Sequence, residues 1–130
     1  MKTLLNVKSA VEVLAGLALA SVPSMASSFL LGSPLGVPVG IILCRIGGAG
    51  LGALGIACWM ARNDTQSRAV TGLIAATLVY DVAVVVVLLF ARFAAGLSGI
   101  GLWPGVALHS ALGIWCLACL NRGSRWRLPG

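Results

Sequence analysis

Three ionisable side chains of different chemistry stand inside otherwise apolar runs of this sequence: Arg45, Asp81 and His109. A charge at the centre of an apolar helix costs on the order of 3 kcal/mol to insert, so such a group normally finds a partner or a water-filled cavity. An arginine, a carboxylate and an imidazole can together form an ion pair, relay a proton or bind a polar ligand. Whether they can do so depends on the elements that position them.

The composition of the chain indicates what these elements are. Of its 130 residues, 59% are hydrophobic and 9% are charged, and its mean hydropathy is +1.04. A soluble domain carries about 25% charged residues, because its surface must be wetted. The solvent around this chain is therefore expected to be lipid. At about 20 apolar residues per crossing, the length allows four helices and no soluble catalytic domain.

Four apolar runs cover about 11–31, 37–61, 69–91 and 100–120, and a basic tail follows at 121–130. The breaks carry turn chemistry: 32–38 is rich in Gly and Pro, 62–68 is polar, and 95–99 contains Gly and Ser. Connections this short make neighbouring helices pack antiparallel. The sequence predicts a single all-α transmembrane domain over 1–130, an up-down-up-down bundle of four helices.

The basic residues orient this bundle by the positive-inside rule. With both termini inside, the outer side holds only Arg92, and the cytoplasmic side holds Lys2, Lys8, Arg62, Arg68, Arg122, Arg125 and Arg127. This predicts an N-in/C-in protein of the inner (plasma) membrane. The net charge of +6 then indicates contact with anionic lipid head groups. No nucleic-acid partner is expected, because a basic patch needs a solvated face to bind one.

The N-terminal segment allows a second interpretation. Lys2, Lys8, the apolar run and Ser24-Met25-Ala26 resemble a signal peptide with a cleavage site of small residues. However, Glu12 opens the apolar run, which resumes after Pro23 and is long enough to span as a kinked helix. We expect a retained first helix. The alternative is cleavage of residues 1–26, which would leave three helices.

The depth of the polar residues follows from a rise of 1.5 Å per residue. Arg45 and His109 are each expected about 10 Å below the outer surface, and Asp81 about 15 Å below it. We therefore predict an ion pair between Arg45 and Asp81. The side chains expected to complete its hydrogen bonds are those of His109, Tyr80, Thr77 and Ser110. The pair either fixes the helix register or belongs to a proton-relay or ligand site.

Glu12 and the cysteines are not assigned to this polar cluster. Glu12 is expected near the cytoplasmic interface, where it either extends to the head groups or pairs with Lys8 one turn earlier. The spacing Cys116-x-x-Cys119 occurs in redox and metal sites. Here it ends an apolar helix near a reducing compartment. Cys44, Cys58, Cys116 and Cys119 are therefore interpreted as packing residues, and no metal or cofactor is predicted.

Small residues predict where helices approach closely. Gly48, Gly52 and Gly55 share one stripe of the second run, and Gly105 and Gly113 flank His109 in the fourth. Such stripes let helix backbones come together in lipid. Packing inside the bundle is favoured over a homodimer face.

Two family resemblances follow from local strings. Ala10-Val11-Glu12-Val13, followed by Gly16, resembles the first-helix motif of the small multidrug resistance transporters around their proton-binding glutamate. Over nearly the whole chain, Arg45-Ile46-Gly47-Gly48, Tyr80-Asp81 and 103–109 (WPGVALH) are similar to small four-helix inner-membrane proteins of GC-rich bacteria. Their general layout is that of DoxX-like proteins. This second resemblance implies the fold and no activity.

These observations predict a structural or accessory membrane protein that packs against a larger partner. The alternative is a small oligomeric proton-coupled transporter or channel, which the resemblance to the small multidrug resistance proteins implies. An enzyme subunit handling a quinone or lipid is a third class. We do not expect an enzyme, because the sequence assembles no metal set and no nucleophile–base pair.

Overall fold

A computed structural model describes residues 1–64 and 67–125, the last three by their backbone alone. The described residues form five α-helices and no strand: α1 (Lys2–Ser21), α2 (Pro23–Leu31), α3 (Pro38–Ala61), α4 (Arg68–Phe93) and α5 (Leu102–Arg125). All but α2 contain a stretch long and apolar enough to cross a membrane. The predicted all-helical chain with four such segments is confirmed at this level.

The first predicted run consists of two helices. The chain leaves helical geometry at Val22 (φ −129°, ψ 56°), and Pro23 starts α2. Proline has no N–H and its ring displaces the carbonyl four residues earlier, so an α-helix breaks there. The predicted kink at Pro23 is confirmed, but the predicted start at residue 11 is wrong. Helix α1 begins at Lys2 because Leu4 and Leu5 pack fully buried in the core.

The other helix bounds lie close to those predicted, except at the end of the chain. Helices α3 and α4 begin and end within two residues of the expected positions. Helix α5 begins at Leu102 and continues to Arg125, so the predicted basic tail starts inside the helix. Residues 126–130, including Trp126 and Arg127, lie outside the described part of the chain.

Helices α1 and α3 pack antiparallel through glycines. A Cβ atom added to Gly16 would lie 2.6 Å from the Gly48 carbonyl oxygen and 2.7 Å from the Gly52 nitrogen. One added to Gly55 would lie 2.9 Å from the Val13 nitrogen. Backbone therefore faces backbone, and the glycine stripe of α3 lies inside the chain, as predicted.

Helices α4 and α5 also run antiparallel, with larger side chains between them. Gly105 faces Leu88 near one end of the pair, and Gly113 faces Asp81 near the middle. Towards the other end, Thr77 Oγ1 lies 3.6 Å from Cys116 Sγ.

A buried apolar core joins the start of α1 and α4 to the end of α3 and α5. It consists of Leu4, Leu5, Cys58, Val70, Ile74, Leu112, Cys116 and Cys119. All four cysteines are free, and three of them lie in this core. At the opposite end, α2 closes on the segment between α4 and α5, where Gly101 N donates to the Phe29 carbonyl at 2.9 Å. We refer to these two ends of the molecule as the core end and the α2 end.

Candidate functional site

Lys8 is the centre of a buried polar cluster between α1 and α4. Its Nζ atom donates to Glu12 Oε1 and to Asp81 Oδ1, each at 2.8 Å. All three residues have a relative exposure of 0%. Lys8 and Glu12 are four residues apart on α1, so they lie on the same face of that helix. Asp81 lies near the middle of α4, about 20 Å along the axis from Arg68.

His109 extends the cluster to α5. Its Nδ1 atom lies 2.8 Å from Asp81 Oδ1, the oxygen that also accepts from Lys8. An ionised carboxylate can only accept hydrogen bonds, so Nδ1 carries the hydrogen when Asp81 is ionised. The His109 side chain retains 13% exposure, while those of Lys8 and Asp81 have 0%. His109 is thus the titratable group that connects the cluster to its surroundings.

Tyr80 packs against both ends of this cluster. Its ring meets the His109 ring edge-on, with centroids 5.7 Å apart. Lys8 Nζ lies 5.5 Å from the centroid of the Tyr80 ring, within the range of a cation–π contact. The phenol ring therefore contacts the lysine and the imidazole, while the carboxylates are bound by Lys8 and His109.

The formal charges of the cluster do not balance. One lysine faces two carboxylates, so the net charge is negative when His109 is neutral and zero when one proton is added. In addition, Glu12 Oε2 and Asp81 Oδ2 are buried without a hydrogen-bond partner among the described residues. Uncompensated charge is costly away from water. The cluster therefore carries one more formal negative charge than positive charge when His109 is neutral.

The predicted ion pair between Arg45 and Asp81 needs correction. Arg45 is exposed on α3, and Asp81 pairs instead with Lys8 and His109. The reason lies in helix packing: the glycine face of α3 is against α1, so α1 rather than α3 presents its side chains to Asp81. Asp81, His109 and Tyr80 come together as expected.

The separate placement of Glu12 also needs correction. Of the two expected arrangements, the structure shows the pair with Lys8, but both residues are fully buried and belong to the cluster around Asp81. A signal for this was present in the sequence. Leu5, Lys8, Glu12 and Gly16 follow each other at intervals of three and four, so one stripe of α1 carries them all, and all four are buried.

A cavity of about 850 Å³ lies beside the cluster, towards the α2 end. Residues of all five helices line it, and Tyr80 and His109 are at its edge. Its other lining side chains are apolar, among them Leu19, Phe29 and Leu88. The site therefore combines a buried ionic cluster with an adjacent apolar space, joined through His109 and Tyr80.

The described residues include no group of three His, Cys, Asp or Glu side chains that could hold a metal ion. Cys116 and Cys119 pack in the apolar core, where Thr77 is the hydrogen-bonding neighbour of Cys116. The described side chains of the cluster form ion pairs and hydrogen bonds.

Comparisons with known proteins add no assignment. No protein-family model, curated protein or solved structure matches this chain. The resemblances to the DoxX-like and small multidrug resistance proteins stay predictions, and the function must be argued from the site.

Proposed function

We propose that the chain is a multi-pass protein of the inner (plasma) membrane, with α1, α3, α4 and α5 crossing as an up-down-up-down bundle. Large apolar side chains that point away from the protein support this. Leu17, Ile46, Val86 and Ile114 are each about 60% exposed or more, one on each long helix. In a water-soluble protein these side chains would form large apolar patches in contact with water, whereas in a bilayer they contact lipid.

The proposed orientation has both termini in the cytoplasm. Lys8 no longer counts towards the basic side, because it is buried in the cluster. Lys2, Arg62, Arg68, Arg122 and Arg125 all belong to the core end, whereas Arg92 is near the opposite end of α4. The excess of basic residues at the core end makes it the cytoplasmic end under the positive-inside rule.

Within this bundle, we propose that the cluster binds and releases one proton, as part of a small proton-coupled transporter. The charge imbalance among Lys8, Glu12 and Asp81 carries this proposal. The proton binds to Nε2 of His109, while the Nδ1–H group keeps its hydrogen bond to Asp81. This binding converts the imidazole to an imidazolium and makes the cluster neutral. Buried ionisable groups of this kind form the proton relays of pumps and transporters.

Proton flux in proteoliposomes tests this proposal. A pH-sensitive dye inside the vesicles would report acidification when a proton gradient is applied across wild-type protein. Asp81→Asn removes one carboxylate and leaves Lys8 balanced by Glu12, so we expect the flux to be lost. Asp64→Asn is the matched control, because Asp64 lies in the connection between α3 and α4. Equal flux through empty vesicles and wild-type vesicles would reject the proposal.

An accessory role is the second candidate, and exposed Arg45 supports it. Arg45 precedes Ala49, Ala53 and Ala57 at intervals of four on an exposed face of α3. Small residues let another helix approach, and a partner carboxylate would pair with the arginine. Of the three acidic residues of a second copy, Glu12 and Asp81 are buried, and Asp64 lies in the connection between α3 and α4 rather than along a helix face.

Purification in mild detergent distinguishes the two candidates. The accessory role predicts stoichiometric recovery of a larger membrane protein by wild-type chain and its loss with Arg45→Leu. Recovery of the chain alone, or as a homo-oligomer, contradicts the accessory role.

A further inference from the structure

The cavity beside the cluster has the size of a small-molecule site. Its volume of about 850 Å³ falls within the range of roughly 300–1,000 Å³ that is typical of ligand pockets. It lies at the α2 end, where the chain bends at Val22 between α1 and α2. Residues of α2, α4 and α5 all line it. Most of its wall is aliphatic or aromatic, so the body of its occupant must be apolar.

Two side chains on the wall can form hydrogen bonds, namely those of Tyr80 and His109. The His109 Nδ1 atom is used by Asp81. Neither Nε2 of His109 nor the Tyr80 hydroxyl hydrogen-bonds to another described side chain or backbone group. Polar groups that line an otherwise apolar space orient a ligand by its own polar group. The occupant therefore carries an oxygen atom at one end.

The charges around the cavity favour an uncharged head group. Glu12 and Asp81 do not line it, so an ammonium group in the cavity would contact neither carboxylate. Lys8 already lies over the Tyr80 ring, which leaves that face unavailable to a second cation. A carboxylate ligand would add a negative charge to a cluster that already contains two. An alcohol or carbonyl adds none.

We infer that this cavity binds an uncharged lipophile with a terminal hydroxyl or carbonyl group, its oxygen hydrogen-bonded to His109 and Tyr80. The inference rests on the proposed function in one respect: the ligand oxygen accepts from Nε2–H in the protonated state of His109. Because the ligand oxygen contacts the nitrogen that holds the proton, the ligand should bind more tightly to the protonated cluster. By linkage, the proton should bind more tightly to the ligand-bound protein.

Photo-crosslinking of the purified full chain in nanodiscs tests the inference. The probe is hexadecanol carrying a diazirine, and its attachment sites are mapped by mass spectrometry. We expect labelling of α2 and of the cavity-facing parts of α1 and α4. Unlabelled 1-tetradecanol should compete at least tenfold more effectively than tetradecanoate or tetradecyltrimethylammonium. Equal competition by all three, or equal labelling by a diazirine-bearing phosphatidylcholine, would overturn the inference.

Variants separate the cavity from the lipid-facing surface. Ala83→Trp fills the cavity, whereas Ala53→Trp makes the same change at a position on α3 outside it, and both alanines are exposed. Only Ala83→Trp should abolish labelling. Tyr80→Phe removes one hydrogen bond and should weaken competition by tetradecanol about tenfold. Unchanged labelling of Ala83→Trp, with native helicity retained, contradicts the inference.

Proton uptake by the same samples keeps this inference separate from the proposed function. Alcohol-selective labelling without proton uptake would support the binding site and reject the proton-coupled role. Proton uptake without selective labelling would support the proton-coupled role and reject the lipophile site.

Discussion

Replacing Lys8 with methionine removes the cation that contacts both buried carboxylates while keeping a side chain of similar length. Lys8 Nζ lies 2.8 Å from Glu12 Oε1 and 2.8 Å from Asp81 Oδ1, and all three residues are fully buried. Removing one partner of a buried ion pair costs about 3–5 kcal/mol, because the remaining charge is uncompensated. We expect Lys8→Met to destabilise the protein by an amount in this range.

Replacing Asp81 with asparagine should destabilise the protein less than replacing Lys8 with methionine. Asp81→Asn leaves one lysine facing one carboxylate, so it should cost only about 1–2 kcal/mol, the effect of a weakened hydrogen bond. In the background of Lys8→Met, the same change removes a charge that has lost its partner. The double variant should therefore be at least about 1 kcal/mol more stable than the sum of the single effects implies.

Unfolding in dodecylmaltoside micelles by added sodium dodecyl sulfate, followed by far-ultraviolet circular dichroism, measures these differences. Lys2→Met is the matched control: Lys2 is exposed on the same helix, and its loss should change stability by less than about 0.5 kcal/mol. If Lys8→Met behaves like Lys2→Met, the cluster is not a buried ion network. Effects of Lys8→Met and Asp81→Asn that add within about 0.5 kcal/mol would also refute the pairing.

Three further predictions concern packing and local structure, and the same unfolding assay measures each. Gly48→Ala should destabilise by about 2 kcal/mol or more, because its Cβ would lie 2.6 Å from the Gly16 carbonyl oxygen. Gly47→Ala next to it meets no atom within 4 Å and should be neutral or slightly stabilising; the reverse order would contradict the α1–α3 interface. Arg45→Leu should leave stability within about 0.5 kcal/mol of wild type, and a loss as large as that of Lys8→Met would restore the arginine to the cluster. Ser67→Ala should cost about 1 kcal/mol, since the Ser67 hydroxyl accepts from Val70 N at 3.2 Å and caps α4, whereas no change would deny the cap.

The helical architecture could be predicted from the sequence because lipid-exposed helices need long apolar runs. The turn residues between the runs, such as those at 32–38, mark their ends. Because the helices were located by their apolar runs, the predicted start of α1 is too late. Hydropathy treats Lys8 as a flanking charge, whereas Leu4 and Leu5 before it are part of the core. Periodicity, rather than mean hydropathy, contains that information.

The candidate site was predicted in part. Asp81, His109 and Tyr80 lie in segments that a connection of a few residues brings together, so their meeting follows from α4 and α5 being adjacent. The cation was misassigned because depth alone does not tell which helix faces Asp81. Arg45 and Lys8 were both candidates for the cation that pairs with Asp81. The close α1–α3 contact at Gly16 and Gly48 turns one face of α3 towards α1, so that Lys8 rather than Arg45 reaches Asp81. The cavity depends on the bend at Val22, whose direction the sequence does not reveal.

The protonation state of His109 reports on the proposed proton site without interference from other residues, because His109 is the only histidine in the chain. Solid-state NMR of protein with ¹⁵N-labelled histidine in bilayers reports both ring nitrogens without overlap. We expect Nδ1 to carry the hydrogen of the neutral ring, because Asp81 Oδ1 accepts from it at 2.8 Å, and we expect a doubly protonated ring in the proton-loaded state. In Asp81→Asn, whose amide can donate as well as accept, this tautomer should no longer be enforced. A neutral ring that carries its hydrogen on Nε2 alone in the wild type, or a tautomer that is unchanged in Asp81→Asn, would refute the contact between Asp81 and His109.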